Sequence, residues 1–67
     1  MYNPYKKLYT YSGHVFDEND HDLGEWSGAT MATGRERAAA NLKWKAKRDL
    51  NIPNDSYIYF SGTIIEK

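Results

Sequence analysis

The chain has 67 residues, nine Lys and Arg against nine Asp and Glu, and no cysteine, so it has room for one small core and no disulfide to staple it. Zero net charge argues against a protein built mainly to grip a nucleic-acid backbone. No apolar run approaches the ~20 residues of a membrane span. The opening Met1-Tyr2-Asn3-Pro4-Tyr5 lacks the apolar centre of a signal peptide, and the lack of cysteine fits a reducing compartment, so the expectation is a cytoplasmic protein without a membrane partner. Ten aromatics (six Tyr, two Trp, two Phe) are the main source of burial for a chain this short.

The whole of 1–67 reads as one domain, with 1–6 as a loose arm because Pro4 has no amide hydrogen for a ladder. Residues 7–16 read as a strand, with Tyr9, Tyr11, Gly13 and Val15 on one parity and Leu8, Thr10, Ser12, His14 and Phe16 on the other. Residues 17–22 are a polar hairpin turn. A second strand follows over 23–31, with Trp26, Gly28 and Thr30 sharing a face.

Residues 34–50 form the predicted helix. Thr33 and Glu36 are spaced as a capping box, the interior is rich in Ala, Leu, Lys and Arg, and Pro53 disfavours helix just before it. Residues 56–66 read as a third strand. The expected fold is α+β, ββαβ: a three-stranded antiparallel sheet in the order 2-1-3 with the helix on one face.

Each strand carries an aromatic-Ser-Gly tripeptide: Tyr11-Ser12-Gly13, Trp26-Ser27-Gly28 and Phe60-Ser61-Gly62. The aromatic and the glycine share a face, and glycine admits a close neighbour. Alanines of the helix are therefore expected to sit in glycine notches. The expected core is Tyr9, Tyr11, Val15, Trp26, Ala38, Ala39, Leu42, Ala46, Leu50, Ile58, Phe60 and Ile64.

Charge is divided along the chain. Residues 17–25 hold five acids and no Lys or Arg; residues 34–50 hold six bases against two acids. At about 100° per residue, Arg37, Asn41, Trp44 and Arg48 fall opposite the apolar stripe, flanked by Lys45 and Lys47. Trp and Arg dominate binding hot spots, so this face is the candidate site, and an acidic protein is the expected partner. Two alternatives are a nucleic acid on the same face, with phosphates on the guanidiniums and bases on the indole, and a homodimer through the sheet face away from the helix.

No catalytic, metal or cofactor site is expected. The acidic turn lacks the Gly and Glu positions of a calcium loop, no Ser stands in Gly-x-Ser-x-Gly, and no Gly-rich loop opens the helix.

The run Tyr9-x-Tyr11-Ser12-Gly13-x-Val15, then Trp26-Ser27-Gly28-x-Thr30, Ala39-x-Asn41-Leu42 with Lys45 and Lys47, and Ile58-x-Phe60-x-Gly62 resembles small phage and prophage proteins of Gram-positive bacteria. The resemblance spans about residues 8–65. It implies a context only, since proteins of this type carry no assigned activity and transfer no site.

Overall fold

The computed structural model describes residues 5–67, so most of the expected arm lies outside the described residues. Five elements follow one another: β1 (Lys7–Asp17), β2 (Asp22–Ala32), α1 (Arg35–Asp49), β3 (Ile58–Phe60) and β4 (Ile65–Glu66). The sheet is antiparallel in the order β2-β1-β3, with β4 also paired to β1. The helix lies on one face of this α+β layer, chiefly over β2 and less over β1.

The β1–β2 hairpin pairs Lys7 with Ala32 through to Val15 with Gly24, then shifts so that Phe16 faces Asp22. Leu23 is the extra residue of this bulge, next to Gly24 at φ 114°. The bulge turns Leu23 onto the core, where simple alternation would send it to the opposite face. The turn is held by Asp17, whose Oδ1 accepts the Asn19 and His21 amides at 2.9 Å each. Asp20 takes the left-handed conformation within it, as short polar residues do in turns.

The buried core is Tyr9, Tyr11, Val15, Trp26, Ala32, Ala38, Leu42, Ala46 and Ile58, together with Thr30. Ala39, Leu50, Phe60 and Ile64 are only half-buried, because the helix is displaced toward β2 and leaves the β3 side open. Ala32 and Thr30 are buried instead, as members of β2 beneath the helix.

The glycine notches have a different occupant from the one expected. A Cβ on Gly28 would lie 2.5 Å from the Trp26 ring, and one on Gly13 would lie 2.8 Å from the Tyr11 hydroxyl. Tyr11 and Trp26 each fold along their own strand over the glycine two residues on, Gly62 meets the Tyr11 ring instead of Phe60, and the helix alanines do not enter. A flat ring laid along the sheet leaves a smooth surface for α1, and glycine is the residue that lets it lie down.

The helix begins one residue later than the capping-box reading. Gly34 is the N-cap, extended at φ −163°, with no side-chain cap bond, so Glu36 falls one position short of closing a box with Thr33. Glu36 still sits in the first turn, where a negative charge suits the helix dipole.

Its C-terminus is a Schellman motif. Asn51 is left-handed at φ 58°, the Ile52 amide donates to the Lys47 carbonyl at 2.8 Å, and the Asn51 amide donates to the Arg48 carbonyl at 3.4 Å. Pro53 follows a helix that has already been stopped, and the motif delivers Ile52 onto the core.

The expected single strand 56–66 is two short pieces. Val15 pairs with Phe60, and Thr10 with Ile65, in one continuous register. Residues 61–64 therefore bow away from β1 and return without a slip. The Tyr11 hydroxyl is the cause. It donates to the His14 carbonyl at 2.7 Å and accepts the Gly62 amide at 3.2 Å, so that beside the long Ser61 amide to His14 carbonyl bond at 3.4 Å the hydroxyl bridges the two strands. The Tyr11 ring is stacked on Phe60 with centroids 4.2 Å apart, which fixes the hydroxyl there.

Candidate interaction surface

Five helix residues form the candidate site, and α1 sorts them into two groups. Arg37, Trp44 and Arg48 point to solvent. Trp44 is 54% exposed, and the Arg48 guanidinium lies over its ring at 5.3 Å from the centroid. This cation–π contact sets a charged group over the face of an indole. Arg48 Nε also donates to Asp49 Oδ1 at 3.3 Å.

Asn41 and Lys45 are drawn to the sheet. Asn41 Nδ2 donates to Thr30 Oγ1 at 3.4 Å, and Lys45 Nζ donates to the Ala29 carbonyl at 2.7 Å. One turn on, Asp49 Oδ2 accepts the Trp26 indole N–H at 2.9 Å. Residues 41, 45 and 49 thus form an i, i+4, i+8 row that clasps β2 along its length. The sequence reading missed Asp49. The available signal was that a buried indole N–H needs an acceptor, and that Asp49 stands one turn beyond Lys45. The bond to Trp26 is the foremost cause that holds the Asp49 carboxyl below its ordinary 3.8.

The remaining bases are dispersed. Arg35 Nη1 reaches the Ile64 carbonyl at 2.7 Å, Lys47 reaches the Asn54 carbonyl at 3.1 Å, and Lys43 lies over the Tyr57 ring at 5.4 Å. Positive charge on α1 is spread around three sides instead of being gathered in one stripe.

The sheet face away from the helix has two unlike ends. At one, Leu8, Met31 and Ile65 are exposed, with Leu8 directly opposite Met31. At the other, Phe16 stacks on Tyr59 at 5.6 Å, and the Tyr59 hydroxyl donates to Asp20. Ser12 faces Ser27 between them.

Among the described residues, no three His, Cys, Asp or Glu side chains are grouped to hold a metal, and no helix is long and apolar enough to cross a membrane. No family model matches the chain, and no curated protein or solved structure gives a significant match.

The hairpin end carries the clearest electrostatic coupling. His14 Nδ1 lies 2.9 Å from Asp22 Oδ2, and Nε2 lies 3.4 Å from Glu25 Oε1. Asp22 first, then Glu25, raises the imidazole pKa above 6.5. The Gly24 amide first, then His14, lowers the Asp22 carboxyl below 3.8.

For a raised histidine the stabilisation is complete below pH 6.5 and is lost as pH rises through the folded-state pKa. For the lowered Asp22 it is present above 3.8 and lost as pH falls through its folded-state value. An NMR titration of the His14 ring should give a midpoint above 6.5, and Asp22→Asn should return it toward that value. An unchanged midpoint in the variant would remove the assignment.

Proposed function

We propose that this chain is a small non-catalytic interaction module that docks an acidic protein partner through Trp44, with Arg48 and Arg37 beside it. The observation that carries the reading is the exposed indole with a guanidinium laid on its face. A large apolar side chain left 54% in water on a rigid helix contributes little to this fold and offers much to a partner. The stack orders the Arg48 side chain in advance, which lowers the entropy lost on binding a carboxylate. Asn41 and Lys45 have a supporting role: they anchor the helix that presents the indole.

A cytoplasmic setting and a phage-type context belong to the same proposal. The first fits a fold stabilised without disulfides.

Nucleic acid is the weaker reading, because Arg35, Lys47 and Lys43 of α1 are spent on carbonyls and a ring instead of lining one track. Binding to oligonucleotides that falls steeply with salt would reverse that ranking.

Trp44→Ala is the direct test. It should leave the unfolding free energy within the scatter of surface substitutions, about ±0.5 kcal/mol. It should weaken partner binding by about 2 kcal/mol or more, roughly thirtyfold. A partner retained at full affinity by the variant in titration calorimetry would refute the assignment of this face.

A further inference from the structure

The inference goes beyond the Trp44 surface and concerns the sheet face away from α1. Contacts place three carboxylates at one end of it. Phe16 stacks on Tyr59, the Tyr59 hydroxyl donates to Asp20, and His14, beside Phe16, reaches Asp22 and Glu25. No Lys or Arg stands anywhere in residues 8–34.

The other end is apolar and cationic. Leu8 stands opposite Met31, Ile65 stands opposite Thr10, and Leu8, Met31 and Ile65 are all exposed. Glu66, the acid of β4, is turned to the helix side, where it takes the Tyr9 hydroxyl and Lys7. Strand alternation then puts Ile65 and Lys67 on the open face. The Lys67 amide donates to the Leu8 carbonyl at 2.8 Å, which sets Lys67 opposite Leu8. Lys6, just before β1, is a second exposed cation at this end. Between the two ends the side chains are small: Ser12 faces Ser27, and Thr10 faces Ala29.

We infer that this face is the contact between two copies of the chain, packed sheet on sheet with their strand directions reversed. A two-fold axis across the strands at Ser12 and Ser27 lays one face on the other. Facing sheets pack about 10 Å apart with strands within about 30° of each other, so each end stays over the opposite end of the other copy. Leu8 and Phe16 stand four residues to either side of Ser12, so Leu8 of each copy meets Phe16 of the other. Phe16 pairs with Tyr59, so Lys67, opposite Leu8, comes over Tyr59 and the Asp20 carboxylate it holds. Lys6 and Glu18 match in the same way, six residues out. Each pair occurs twice, as an isologous interface requires. Charge selects the occupant and the direction together. Like ends laid on one another would set Asp20, Asp22 and Glu25 against their own counterparts, and Lys67 against Lys67. The face complements itself only when reversed, and a second copy supplies both ends at once. Asp22 and Glu25 enter the contact already bonded to His14, so neither carboxylate is buried alone.

Sedimentation equilibrium up to sub-millimolar concentration tests this. The wild type should rise from 7.8 kDa toward twice that mass. Met31→Glu changes an exposed side chain, so it should keep the wild-type circular dichroism. It sets a carboxylate against the acidic end of the other copy and should weaken association severalfold. A spin label decides the direction and covers the case in which that variant fails to fold. The chain has no cysteine, so Lys67→Cys carries a single nitroxide. Mixed with isotope-labelled wild type, it should broaden the NMR signals of residues 16–20 and spare those of Leu8 and Met31. A wild type that stays monomeric throughout overturns the inference, and one that instead co-sediments with phosphatidylserine vesicles gives the apolar, cationic end to a lipid surface. A dimer that Met31→Glu leaves intact, or broadening at Leu8 and Met31, overturns it as well. Trp44 lies on the outer side of α1, so Trp44→Ala should not change this association, and the two readings fail separately.

Discussion

Trp26→Ala should leave little folded protein at 25 °C. A chain of this size holds roughly 3–10 kcal/mol of net stability, at 0.05–0.15 kcal/mol per residue. Truncating a buried tryptophan costs about 3–5 kcal/mol. Three structural losses coincide at this position. The ring stacks on Phe60 with centroids 6.0 Å apart, it covers Gly28, and its N–H is the partner of Asp49. Leu42 and Ala46 of the helix belong to the same buried cluster, so the cavity would open at the centre of the layer.

Trp26→Phe separates the contributions. It keeps a ring over the glycine, removes the indole N–H, and should cost much less. The Asp49 carboxyl pKa should then return toward 3.8, since the indole bond is the first cause of its depression. A chemical melt of the three proteins gives the comparison. A cooperative Trp26→Ala protein with near wild-type midpoint would show that the helix does not rest on this ring.

Gly28→Ala is the second large effect, and its sign runs against strand propensity. Replacing a mid-strand glycine with alanine ordinarily favours folding by roughly 0.5–1 kcal/mol. Here the new methyl would sit 2.5 and 2.6 Å from two ring carbons of Trp26. The ring has no free side to move to: Phe60 is stacked against it, and Asp49 holds its nitrogen. Overpacking of this kind costs about 1–3 kcal/mol, so the clash prevails and the variant should be destabilised. Combining Gly28→Ala with Trp26→Leu, which frees the space, should recover the ordinary favourable sign. The coupling energy should then exceed the ~0.5 kcal/mol seen for independent sites. Additive effects would mean that the ring and the glycine do not touch.

These two positions show what the sequence could and could not convey. Alternation placed Tyr9, Tyr11, Val15 and Trp26 on one buried face, and helical spacing put Ala38, Leu42 and Ala46 beneath and Trp44 outside, as observed. Local periodicity is sufficient for such assignments. The notch occupants were not legible, because whether an aromatic lies along its own strand or stands up into the core depends on its rotamer and on the neighbouring layer. The break in 56–66 was hidden for a similar reason. It arises from one hydroxyl fifty-one positions away in sequence, on Tyr11, which bonds Gly62.

At the candidate surface, angular position alone grouped Asn41 and Lys45 with Trp44. The lateral seat of the helix over β2 reassigned them to the sheet, and no single-sequence signal fixes that offset. The Schellman stop at Asn51 was within reach, since Asn readily adopts the left-handed conformation that ends helices.

The bow at 61–64 divides the last strand into two attachments of unequal strength. Beyond it, only Ile65 and Glu66 are paired with β1, with the Lys67 amide on the Leu8 carbonyl and a Lys7–Glu66 bridge at the rim. Local opening of residues 65–67 can therefore halt at the tyrosine peg, while Ile58 beneath stays seated. Such an opening releases the β1 backbone at Leu8 and Thr10 without melting the domain behind it.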